Sequence, residues 1–169
     1  MFRRTTIALT LIFPIPGLAF DEACKVLLAA GEAKSSASAW HATITMDDLE
    51  TEVIKADGRF YVHTESGWAD AGMDLDAVEG ETLAAMQRDE IQLSGCAFKG
   101  EEMVDGIAAR VFTYTAKVPG SNAAPSVSTL VIGKRDNRPY RQSITAGESR
   151  QTTTYRYTGV QAPELSTAP

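Results

Sequence analysis

The chain has 169 residues, 44% of them hydrophobic and 22% charged, with 22 acidic side chains against 16 basic ones. That length suits one domain built on a single core. A formal net charge of −6 disfavours nucleic-acid backbones and anionic membrane surfaces as broad partners.

The opening stretch, MFRRTTIALTLIFPIPGLAF, has a basic start at Arg3 and Arg4, an apolar middle from Thr5 to Phe13, and small residues at Gly17 and Ala19. This is the pattern of a secretory signal peptide cut between Ala19 and Phe20. Pro14 and Pro16 interrupt the apolar run well short of the ~20 residues a membrane span needs. No later segment is apolar for long enough, so the chain is not expected to span a membrane. The expected organisation is a signal peptide over 1–19 and a single domain over 20–169.

Two cysteines remain, Cys24 and Cys96, and in an exported chain an even pair defaults to a disulfide. A lipid anchor on Cys24 is disfavoured by the charged Asp21 and Glu22 just before it. Asp21 is a good N-cap, and Ala23, Cys24, Leu27 and Leu28 then recur at helical spacing, which places Cys24 on an apolar helix face. Gly31 and the small polar run KSSASA are expected to end this helix and act as a linker.

From Trp40 the period changes to two. Trp40, Ala42, Ile44 and Met46 share one face, and His41, Thr43 and Thr45 the other. TEVIKADGRFYVHTESGW reads as two strands about the turn Asp57-Gly58, with a second turn at Ser66-Gly67 delivering Trp68. A short helix follows over MDLDAVEGETLAAMQRDE, with Asp76 and Glu79 as a capping box and Arg88 at its end. Acidic residues here do not keep the register of a calcium loop. The remainder is strand and turn, with Arg110, Phe112, Tyr114 and Ala116 alternating against Val111, Thr113 and Thr115. Strands joined by short turns predict an antiparallel sheet curling around a core.

Between two of these strands lies GKRDNRPYRQ, which carries Lys134, Arg135, Arg138 and Arg141. It reads as a hairpin with its turn at Asp136-Asn137 and Pro139 at a strand start. The basic residues are expected to be its solvated edge; an anion-docking patch is the alternative. Catalytic signatures are missing. His41 and His63 sit mid-strand without a nucleophile motif, and neither lies at tight ligand spacing from Met46 or Met73. No cofactor and no metal are expected.

The order of these pieces resembles the LolA-like superfamily of periplasmic lipoprotein carriers. The resemblance rests on Gly67-Trp68, on Gly100 to Val111 (GEEMVDGIAARV) and on Val131 to Gln142 (VIGKRDNRPYRQ). It implies a strongly curved, unclosed antiparallel half-barrel with helices over its concave side, a periplasmic location, and an apolar cavity for a lipid or lipoprotein acyl chain. Apolar mass for such a cavity comes from Trp40, Ile44 and Met46 on one strand, from Phe60 and Val62 after the Asp57-Gly58 turn, and from Trp68 after the turn that follows. Phe112, Tyr114, Leu130, Ile132, Ile144 and Tyr155 supply the rest from later strands. The expected function is non-catalytic binding in a space of several hundred cubic ångströms. A filled core with a surface for a periplasmic protein partner is the other reading.

Overall fold

The computed structural model describes residues 22–166. The leader, its cut after Ala19 and the Asp21 cap therefore lie outside the described residues. Among those described, no helix is long and apolar enough to cross a membrane.

A 3₁₀ turn at Glu22–Cys24 runs into helix α1, Lys25–Ser35. Strands β1 (Trp40–Met46), β2 (Leu49–Ala56), β3 (Arg59–Thr64) and β4 (Gly67–Asp70) then form a meander. Helix α2, Leu75–Gln87, leads to a second meander of β5 (Gln92–Val104), β6 (Ile107–Lys117), β7 (Ser126–Gly133), β8 (Pro139–Ala146) and β9 (Ser149–Arg156). All nine strands join one open, curved antiparallel sheet in the order β4-β3-β2-β1-β9-β8-β7-β6-β5. The two meanders meet where β9 pairs with β1, Ala42 opposite Tyr155. This order has a consequence for α2. It links the two edge strands, β4 and β5, so the chain has to cross the open side of the curved sheet to get from one to the other.

Local chemistry explains the hairpins. Asp57-Gly58 and Asp105-Gly106 each place two successive residues at positive φ (53° and 70°, 48° and 79°), the twist that lets a two-residue turn match its strands. The second turn falls one residue earlier than expected: Thr64 pairs with Gly67, so Glu65 and Ser66 form the tip. On α1 the buried positions Cys24, Leu27 and Ala30 keep helical spacing. The helix does not stop at Gly31 but continues through Lys34 and Ser35. Gly31 is a contact site: a Cβ there would come within 2.5 Å of Leu83 Cδ2 on α2. Absence of that methyl lets the two helices approach, which explains why a poor helix former is tolerated mid-helix.

The Cys24–Cys96 disulfide forms, with a Cα separation of 5.3 Å, and ties the start of α1 to the edge strand β5. The far end of α1 is tied to β2, where Lys55 Nζ donates to the Ser35 carbonyl at 2.9 Å. One core cluster gathers Cys24, Leu27, Ala30, Leu93, Tyr114, Leu130 and Ile132; a second gathers Ala37, Trp40, Ala42 and Phe60. A third, around Ile54, Ala56 and Tyr61 with Trp68 against it, sits on the sheet's other face.

The basic corner is a hairpin, as its sequence suggests. Asp136 accepts from the Arg138 amide (3.1 Å) and from the Tyr140 hydroxyl (2.8 Å), holding the turn, with Asn137 at φ 56°. Three of its four cations have partners within the chain. Lys134 pairs with Glu101, Arg141 with Glu102 at 2.6 Å, and Arg138 lies 5.1 Å from the Tyr157 ring centroid. Arg135 alone of the four has no such partner among the described residues. Little free positive charge is left to attract an anion.

Candidate ligand cavity

Beneath the two helices, on the concave face, a cavity of about 250 Å³ opens. Its floor is Leu93, Tyr114, Leu130, Pro139, Gln142 and Tyr155 from the sheet. Its roof is Leu27, Gly31, Lys34 and Ser35 from α1 and Glu79, Thr82, Leu83 and Met86 from α2. Most of this lining is apolar, and the space is smaller than the several hundred cubic ångströms expected.

The register shows why the floor is what it is. Phe112 faces Leu130, Leu130 faces Gln142, Gln142 faces Thr153, and Thr153 faces Ile44, one row across five strands on the concave side. Tyr114, Ser128, Ile144, Gln151 and Met46 form the next row. Both rows mix apolar and amide or hydroxyl side chains. Gln142 Nε2 donates to the Tyr114 hydroxyl at 2.8 Å, joining the two rows inside the fold.

Of the residues expected to line a cavity, Tyr114, Leu130 and Tyr155 do so. Trp40 and Phe60 are buried beside it, packed edge to face at 5.7 Å, with Trp40 also against Tyr155 at 6.0 Å. The Trp40 indole N–H is buried without a hydrogen-bond partner among the described residues. Ile132 is fully buried under α1, and Phe112 is half-buried against the same cluster and 5.7 Å from Phe98. Ile44, Val62 and Ile144 are half-buried outside the lining, and Met46 is exposed at the end of β1. Trp68 is on the opposite face. Lys55 pairs with Phe60 and His63 with Trp68, so odd spacing along β3 turns Trp68 away from Trp40 and Phe60. There it packs against His63 at 5.0 Å and His41 at 6.1 Å. His41 is bracketed by Glu52 (2.6 Å) and Arg156 (2.9 Å). Among the described residues, no group of three or more His, Cys, Asp or Glu is placed to hold a metal ion.

Reasoning from strand alternation overlooked the roof, which supplies eight of the fourteen lining residues. The signal was there in Leu83 and Met86, three apart on a predicted helix. The acids of α2 also do different work from that expected. Asp74, not Asp76, caps the helix, accepting from the Ala77 amide at 3.0 Å. Asp76 is thereby free to pair with Lys55, whose side chain is only 5% exposed. Glu79 pairs with Lys34 and accepts from the Ser35 hydroxyl at 2.9 Å, both on α1. Lys34 also lies 4.9 Å from the Trp40 ring and 5.3 Å from the Tyr155 ring, a placement that favours a cation over the π-face. Helix α2 itself contains no buried residue. Two ion pairs, the Gly31–Leu83 contact and the packing of Leu75 and Met86 against the core clusters seat it over the cavity.

Burial sets the tyrosines apart. It pushes the Tyr155 and Tyr114 phenols above their ordinary range, reinforced at Tyr155 by the Glu79 charge and opposed at Tyr114 by hydrogen bonds from Ser128 and Gln142. Burial raises Tyr157 likewise, and Tyr140, buried beside Asp136, is pushed up to about 12. In the unfolded chain each titrates near ~10. Above that pH the unfolded state releases protons that the folded state retains, so stability falls as pH rises from about 10 toward 12. Tyrosinate absorbance is expected to rise cooperatively, together with loss of far-ultraviolet circular dichroism. Ordinary non-cooperative titration of all the tyrosines in a still-folded protein would contradict this burial.

The same architecture is found in solved structures. The Mycobacterium tuberculosis lipoprotein LppX superposes with a TM-score of 0.57 at 12% identity, covering 86% of this chain and 98% of that one. LprF from Mycobacterium bovis gives 0.53 at 14% identity, over 88% of this chain and 97% of that one. The fold is LolA-like. A LolA superfamily protein from Nitrosomonas europaea aligns at 10% identity over 85% of this chain and 94% of its own, with a TM-score of 0.32 too low to add weight. No protein-family model and no curated protein sequence matches the chain. At these identities the LolA-like likeness concerns the fold alone.

Proposed function

We propose that this chain is a non-catalytic periplasmic binding or carrier protein that holds an acyl chain or similar apolar ligand under its two helices. The observation that carries this reading is the apolar cavity between the concave sheet face and α2, a helix with no fully buried residue of its own. Apart from Leu75 and Met86, which pack against the core clusters, α2 lies over the open side with Glu79, Thr82 and Leu83 facing the cavity, a placement that suits covering a guest. Each methylene moved from water into such a space gains about 0.8 kcal/mol. A long polar recognition site is then unnecessary. Export is supported by the leader pattern and by the Cys24–Cys96 bridge, which persists in an oxidising compartment. The alternative of a surface-acting module loses its main candidate, since most cations of the basic corner are already paired.

Native mass spectrometry and lipid extraction of protein isolated from periplasm should return protein with a bound apolar molecule. Purified protein should also take up a fluorescent fatty acyl probe. Empty protein from the periplasm together with no probe uptake would end this reading.

A further inference from the structure

We propose that the cavity accepts one acyl chain of medium length, about ten carbons, joined to an uncharged oxygen acceptor such as an ester or amide carbonyl that Tyr155 binds. This rests on the binding function proposed above and narrows its ligand class.

The chain length follows from volume. An apolar cavity of about 150 Å³ holds one benzene, roughly 25 Å³ per carbon. At that density 250 Å³ holds about ten carbons. Two chains of ordinary membrane-lipid length would need roughly three times the space.

The polar end follows from the polar groups of the lining. Tyr155 lines the cavity, and its hydroxyl has no hydrogen-bond partner among the described residues. Other polar groups at hand are engaged within the fold. Tyr114 has Gln142, Thr82 donates to the Val78 carbonyl, and Glu79 takes both Lys34 and Ser35. Tyr155 stays a neutral donor because burial and the Glu79 charge both hold its proton. One donor with a carboxylate nearby suits a carbonyl oxygen, whereas an anionic headgroup would meet Glu79 and find Lys34 taken. A donor without a partner in a mostly apolar lining favours the ligand's polar atom beside it.

The test is calorimetric titration of the full exported protein with monoacylglycerols from hexanoyl through decanoyl to hexadecanoyl, with decanoate alongside. Affinity should rise about fourfold per methylene up to decanoyl and then fall. Decanoate at neutral pH should bind roughly tenfold or more weakly. Tyr155→Phe should weaken monodecanoylglycerol about fivefold and leave binding of decane unchanged, a difference that general loosening of the fold would not produce. Glu79→Gln, which frees Lys34, should shift preference toward decanoate. Met86→Trp, on a helix without buried residues, should move the optimum to a shorter chain. Better binding of hexadecanoyl or two-chain lipids overturns the proposal while sparing the wider binding function, as does equal loss of ester and alkane in Tyr155→Phe. If no member of the series binds, both fall.

Discussion

Replacing Cys24 and Cys96 together by serine is expected to lower stability by about 4 kcal/mol and to release the start of α1 from the sheet. The bridge spans 72 residues of sequence. Opening it returns to the unfolded chain the entropy of a loop that encloses all of β1 to β4 and α2. Native-state effects point the same way. Cys24 is fully buried in the cluster with Leu27, Leu93, Tyr114, Leu130 and Ile132, and a serine hydroxyl in its place would stand in largely apolar surroundings. Edge strand β5 has register shifts near Ser94 and Phe98 that weaken its own pairing with β6, so the cross-link matters more there than mid-sheet. Urea unfolding should give destabilised curves for both the reduced and the doubly substituted protein relative to the oxidised one, with the serine variant the less stable of the two. Reduction that leaves the midpoint unchanged would show that α1 is held by packing alone. Ligand binding should suffer too, because α1 supplies Leu27 and Lys34 to the cavity roof.

Much of this architecture could be read from residues. Period-two alternation in β1 and β6, the Asp57-Gly58 turn and the cysteine pair were each sufficient, since each reflects a short-range constraint or a loop closure. What could not be read was which face of each strand looks inward once the sheet bends. Trp68 is as apolar as Phe60, and only its register against His63 turns it outward. The continuation of α1 past Gly31 was hidden for a similar reason. A glycine followed by small polar residues normally ends a helix, and here the tertiary contact with Leu83 overrides that preference. Asp76 and Glu79 had the spacing of a local cap, but lysines distant in sequence, Lys55 and Lys34, claim them. Electrostatic partners across the fold leave no trace in local pattern.

Those lysines give the second large effect, and it is asymmetric. Asp76→Ala is expected to cost about 3 kcal/mol, whereas Lys55→Met, which removes the other half of the same pair, should cost about 1 kcal/mol or less. Lys55 is almost fully buried, between Phe60, the Ser35 carbonyl and Asp76, while Asp76 is half exposed at the start of α2. Taking away Asp76 leaves an ammonium with one carbonyl partner in a poorly hydrated place. Taking away Lys55 leaves a carboxylate that water already reaches, at a helix N-terminus that favours it, and puts a methionine of similar length where an apolar side chain is at home. Combining the two changes should therefore cost little more than Lys55→Met alone. Chemical denaturation of the three variants measures the cycle, and hydrogen exchange should show α2 amides losing protection before the sheet does in Asp76→Ala. Equal costs for the two single variants would mean that Lys55 is hydrated in solution and that α2 is seated over the cavity by the Glu79 pair and Leu83 instead.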